Sequence, residues 1–322
     1  MRKSIFMLIV LLTSGFTSMA QQDPHFTQYM FNKSYWSPAL TAHDGKGSVS
    51  VLSRAQWIGY EPTFEEDGGA PSTQFLNFST PISFKEMPLG LGVNVIYDKL
   101  GVLNNMEAQV SLAYHKALNR GTLSFGIRPA FVNRTLDFSK LRFVDPSDPK
   151  NVQTKESQAV FDLAFGMSYS TENYLLAAGV NHLLRPELNY GLDASGNVSN
   201  KASMIYNLYG EYSYRLTYNI DLTPSLLVAS DLNTYSIDLS VIATYNKKIW
   251  GGLSYRNNEA MALLMGYSFL DNNQLKAGYS FDYIIKDQSA KQPTSHEIFI
   301  RYDLPSISTG AKKIIRTPRF RY

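Results

Sequence analysis

Val160–Ser170 reads VFDLAFGMSYS, and its phase decides the fold. Phe161, Leu163, Phe165, Met167 and Tyr169 fall on one face of an extended chain. Asp162, Ala164, Gly166, Ser168 and Ser170 fall on the other. Side chains alternate across a strand, so this run predicts a strand with one apolar and one small, polar face. The same period recurs in LKAGYSFDYI from Leu275 and in TYSIDLSVIATY from Thr234.

Outward from that stretch, about fourteen such runs succeed one another, from roughly 48–58 to roughly 295–304. Most reach the ~9–11 residues that a tilted strand needs to cross a bilayer. Aromatic residues gather near their ends, and 13% of the chain is aromatic. Connections alternate in length: 118–120, 171–172, 217–218, Lys247 and 271–273 are brief, while GYEPTFEEDGGAP, 134–156 and 183–203 are long, although those near Leu232 and Asn258 are short too. An all-β transmembrane antiparallel barrel of about 14 strands accounts for period, aromatic ends and one-sided loops together. A water-soluble β-sandwich explains the period alone.

The first residues agree with export. Arg2 and Lys3 precede IFMLIVLL, and Ser18-Met19-Ala20 offers small residues for cleavage, so 1–20 read as a signal peptide. There is no cysteine, which excludes disulfides, thiol chemistry and cysteine-bound metal. No catalytic or phosphate-loop motif is present, and His25, His43, His115, His182 and His296 lack ligand spacing. Gly90-Leu-Gly92 reads as small residues within a strand, and Glu65-Glu66-Asp67 as a solvated acidic loop. The expectation is a non-enzymatic protein without cofactor or metal.

Two segments are left over. Residues 21–47 hold, from Gln22, the stretch QDPHFTQYMFN, aromatic and amide-rich, too short for a stable helix and lacking a strand's period. A fourteen-stranded barrel encloses more space than its own side chains fill, so this segment is expected to plug the barrel of residues 48–305. Residues 306–322 form a basic tail with Lys312, Lys313, Arg316, Arg319 and Arg321 and no acid. The tail carries +5 and the leader +2 of a total of +3, leaving −4 on residues 21–305. With an even strand count the tail faces the periplasm, where it docks on a partner, folds into its own lumen, or stays disordered. Phe320 and Tyr322, each following an arginine, suit docking; terminal RFRY also suits recognition by assembly machinery. Nucleic acid is not an expected partner of an exported chain.

DPHFTQYMFN, SPAL, SRAQWIGY, GAPSTQFLNFSTP, LGLGVNVIYDKLGV, LSFGIRPAF and YLLAAGVNHLLRPEL resemble, in that order, the motifs of type IX secretion system membrane proteins of the PorP/SprF family. Ser37 stands where that family usually has asparagine. The resemblance implies an integral protein of a Gram-negative outer membrane that serves secretion through protein–protein contacts. Its implied partners are other type IX components, or a cargo with a C-terminal sorting domain such as a gliding adhesin, besides outer-membrane lipid. The matching positions expected to contact plug or partner are Asp23, Pro24, Phe26, Gln28, Tyr29, Phe31 and Asn32, then Arg54, Gln56 and Trp57, then Gly69, Ala70, Pro71, Thr73 and Gln74. A different class of function, passive transport of hydrophobic small molecules as in fatty-acid porins, would need an apolar pocket and a kinked strand. Pro129 and Pro224 are the candidate kinks.

Overall fold

In the computed structural model, described residues are 23–60, 69–140, 154–188, 201–270, 272–286 and 291–305. The strands are β1 (Ser48–Ala55), β2 (Ser72–Phe84), β3 (Met87–Leu100), β4 (Leu103–Leu118), β5 (Gly121–Asp137), β6 (Lys155–Ser170) and β7 (Tyr174–Asn181). They continue with β8 (Ile205–Tyr212), β9 (Tyr214–Arg215), β10 (Ile220–Ser230), β11 (Tyr235–Tyr245), β12 (Ile249–Arg256), β13 (Ala260–Phe269), β14 (Leu275–Ile284) and β15 (Thr294–Asp303). Every neighbour is antiparallel, and β1 pairs with β15 from Ser48↔Asp303 to Ala55↔His296. The sheet therefore closes with no free edge. The two-residue β9 lies in line with β8, both pairing β10, so the wall has fourteen staves, as the periodicity predicts.

Pro224 and Pro129 explain two breaks in the ladder. Ser225 pairs Glu211 and Leu222 pairs Tyr214, so β10 keeps one register past Pro224 although the proline has no N–H to give. The β4–β5 ladder likewise skips from Gln109↔Ala130 to Leu112↔Ile127, opposite Pro129, in unchanged register. Each proline costs the ladder a bond without shifting the register of its strand.

The faces divide as the alternation requires. Outward, Val51, Leu76, Val93, Val110, Ile127 and Phe165 are exposed and form an apolar belt. Exposed Tyr174, Tyr212, Tyr235, Tyr245 and Tyr283 stand at strand ends, where a membrane interface holds amphipathic rings. The end holding the start of β1 and the finish of β15 has only short turns, such as Lys85-Glu86 and 171–173, and is the periplasmic end of such a barrel. The opposite end carries the long connections, although Gly101-Val102, 231–234 and 257–259 at that end are short. β2 to β5 also run past their expected ends, β5 to Asp137 rather than 133.

The buried core lies within the barrel. Phe26, Tyr29, Tyr35, Trp36 and Leu40 of the N-terminal segment pack with inward-facing Leu52, Phe75, Ile96, Leu227, Leu264 and Phe299. No described helix is long and apolar enough to cross a membrane.

Candidate functional site: the plugged lumen

The segment from Asp23 to Gly47 runs through the lumen as a chain of short turns. They are a 3-10 turn at Tyr29–Phe31, the single-turn helix α1 at Lys33–Trp36 and another 3-10 turn at Pro38–Leu40. Each is too short to be stable alone, so the wall must hold them. Three sets of contacts do so.

The first is ionic. Glu297 of β15 accepts the backbone N–H groups of Thr27 (3.0 Å) and Gln28 (2.8 Å), satisfying two donors that no regular structure serves. The Thr27 hydroxyl donates to Asp282 of β14 at 2.6 Å and accepts from Arg54 of β1 at 2.8 Å. Arg54 also pairs with Asp282 at 2.8 Å and Glu297 at 3.3 Å, with all three side chains at most 1% exposed. Arg128 of β5 donates to the carbonyls of Ser34 (2.9 Å) and Tyr35 (2.7 Å) and to Asn181 Oδ1 (2.8 Å). At the outer end His182, with φ of 57°, bridges Asp162 and Asp23, the latter at 2.8 Å, while Asn181 donates to Asp23 at 3.3 Å. Burial lowers the His182 pKa and raises that of Asp23, but the opposite charges outweigh it. The imidazolium is held well above its usual range and the Asp23 carboxylate well below.

The second set is aromatic. Phe26 meets Tyr35, Trp36 and Phe75 at ring distances of 5.3, 6.1 and 5.5 Å. Phe31 stacks on Phe299 at 5.0 Å and meets Trp250 at 4.7 Å. Tyr29 sets its edge against Tyr209 and donates its hydroxyl to Ser225 O at 3.0 Å. Each fully buried ring contributes about 1.5–3 kcal/mol from lost apolar exposure.

The third set consists of absent side chains. Inward glycines on β3, β5, β6 and β7 form a band on which the chain from Trp36 to Thr41 lies. A Cβ at Gly126 would stand 2.3 Å from Pro38 C, at Gly90 2.2 Å from Thr41 O, and at Gly179 2.2 Å from Trp36 O. Only glycine admits a backbone this close. Gly90 and Gly92 are therefore seats for the plug, not merely small residues of a strand. Ser37 Oγ donates to Ala178 O at 2.9 Å, so the hydroxyl in the family's asparagine position also faces the wall. His115 bridges Thr41 O at 3.0 Å and Ser124 at 2.8 Å.

The candidate residues separate accordingly. Phe26, Gln28, Tyr29 and Asn32 are buried in the lumen, Asp23, Pro24 and Phe31 partly so. Arg54 and Thr73 point inward, Thr73 onto Asp98 at 2.5 Å. Gln56 and Pro71 close the rim through a 2.9 Å backbone bond, with Gly69 and Ala70 just before. Trp57 bonds Ser295 at 3.1 Å and lies under Lys291. Gln74 is exposed and faces away from the lumen, so it touches no plug residue. Lys312, Lys313, Arg316, Arg319, Phe320, Arg321 and Tyr322 lie outside the described residues, as do residues 1–22 and the loop of Glu65, Glu66 and Asp67. Sequence reasoning missed Arg128, Glu297, Asp282 and the glycine band. Among the described residues no group of acids and histidines forms a metal centre.

Among solved structures, the CymD monoaromatic hydrocarbon channel is similar at 12% identity and a TM-score of 0.49, covering 88% of this chain and 94% of that one. A TodX deltaS2S3 mutant monoaromatic hydrocarbon channel is similar at 9% and 0.47 (80% and 89%), and the Acinetobacter baumannii outer membrane protein Omp33 at 8% and 0.43 (81% and 99%). Likeness at this level says nothing about ligands. No curated protein matches the chain. The model of the type IX secretion system membrane protein PorP/SprF matches residues 18–302, nearly all of the barrel and its plug. The chain belongs to the PorP/SprF family and is an outer-membrane component of the type IX secretion system.

Proposed function

We propose that this barrel supports secretion or surface delivery of cargo by binding proteins at its two ends, with its lumen kept closed. The observation that carries the reading is the plug: a segment fastened by Arg54, Asp282, Glu297 and Arg128 through the interior leaves cargo no path through the barrel. Cargo with a C-terminal sorting domain, including adhesins of gliding cells, is the expected client, and other type IX components are the expected neighbours. The tail 306–322 serves as a further periplasmic contact, and residues 1–20 as a removed signal peptide. Deleting the gene and comparing surface and medium proteomes tests this. Loss of one or more exported clients with an intact outer membrane is expected; an unchanged exported proteome contradicts it. Purified barrel is expected to show no uptake of fatty acids in liposomes, and uptake would favour the transporter.

A further inference from the structure

The plug does not fill the lumen evenly. The glycine band draws the chain from Trp36 to Thr41 onto β3, β5, β6 and β7, and the wall from β8 round to β2 stands away from it. Between them lies a crescent cavity of about 410 Å³. It opens at the periplasmic end, since Thr244, Lys247 and Ser268 line it near the short turns. The wall keeps the space clear with small hydroxyl side chains, Ser79, Ser213, Thr223, Thr244 and Ser268. Its floor is apolar, made by Phe31, Leu40, Ile242 and Trp250, and the buried Trp250 indole N–H has no acceptor among the described residues.

Its charges lean one way. Lys33, Lys247, Lys276 and Arg301 line the cavity against Asp44 and Glu211. Glu211 is matched by Lys33 at 2.6 Å, and Asp303 serves both Lys276 (3.2 Å) and Arg301 (2.6 Å), which also reaches Asp44 at 2.8 Å. Lys247 has no acidic partner among the described residues, and exposed Lys46 and Lys248 add charge at the same rim. The chain's own tail does not suit this site. Leu304 bonds Gly47 O at 2.8 Å, so the chain leaves at this end, and residues 306–322 carry five cations and no acid. Like charge repels the tail.

We propose that the crescent is a socket for an acidic segment of a periplasmic partner protein. An apolar side chain of that segment seats on the Phe31–Trp250 floor, and its carboxylates meet Lys247, Lys276 and Arg301. This rests on the secretion reading above, and it names the partner chemistry for one face.

The probe is a labelled peptide, acetyl-EDLFED-amide, with acetyl-QNLFQN-amide as its uncharged counterpart, titrated by fluorescence anisotropy onto the full chain in detergent. The acidic peptide is expected to bind, about tenfold or more tightly than the amide peptide, and to lose that margin in K247E/K276E or at high salt. K247E alone, which breaks no ion pair, is expected to lose part of it. Equal binding of both peptides, no binding, or binding untouched by the reversals overturns the proposal. So does dodecyl phosphate displacing the peptide and outbinding it, which assigns the socket to a lipid headgroup. In cells, Ser268→Trp fills the crescent, and a heat-modifiable gel shift reports whether the barrel has folded. Folded S268W that secretes normally, where the gene deletion does not, defeats the socket and leaves the secretion role standing. Normal secretion by the deletion itself defeats the role.

Discussion

Glu297 is the residue on which the plug most depends, because one carboxylate serves Arg54 and two plug N–H groups with no exposure to water. Glu297→Gln keeps the shape and removes the charge. A buried ion network that loses one partner is destabilised by about 3–5 kcal/mol, so protection of the Thr27–Gln28 region against protease is expected to fall steeply while the barrel still forms. The outer latch behaves differently with pH. The raised His182 pKa contributes stability in full below ~6.5 and loses it only as pH climbs through the folded value. The depressed Asp23 pKa contributes above ~3.9 and loses it only as pH drops through its folded value. Protection of the plug's outer end is therefore expected to be flat between about pH 4.5 and 6.5, and lower throughout in His182→Gln. A steep change within that window contradicts the latch. Arg54 was legible because it stands in SRAQWIGY, but Glu297 lies 243 positions away, and no local pattern reveals a partner at that distance.

The strands were legible because period two is a local property, and VFDLAFGMSYS sits in β6 with the expected face outward. The plug's need for a host was legible too, in its aromatic and amide composition. Its track along the wall was not. Gly90, Gly126, Gly166 and Gly179 all fall on the inward phase of their strands, but a glycine there reads equally well as ordinary strand filler. Substitution separates the two readings. Gly126→Ala places a Cβ 2.3 Å from plug backbone, whereas Gly251→Ala meets nothing nearer than 3.6 Å. The first is expected to displace the plug and produce open-channel steps in planar bilayers, and the second to remain closed. Equal closure of both would show that the band is not a seat. Replacing Phe26, Tyr29 and Phe31 together by alanine acts on the same element from inside. Fully buried Phe26 alone is expected to cost about 3–5 kcal/mol, and half-buried Phe31 less. Protease sensitivity near Asp23 is the readout.

At the scale of the molecule, closure by β1 and β15 and the inward charge network describe a barrel whose interior is occupied, and the function proposed above places its work at its ends. The short-turn end offers a basic crescent, and the long-loop end carries the Asp23 latch. The most direct test of closed-lumen function is to fasten the plug covalently in living cells. The chain has no cysteine, so Asp23→Cys with Asn181→Cys gives one addressable pair at the outer end, where the native side chains bond at 3.3 Å. Bridging that pair with dibromobimane holds the segment in the lumen at 23, while β1 holds it at 48. Cargo secretion at the rate of the unbridged double variant is the predicted result; secretion that stops on bridging would show that the lumen must open and would contradict the account.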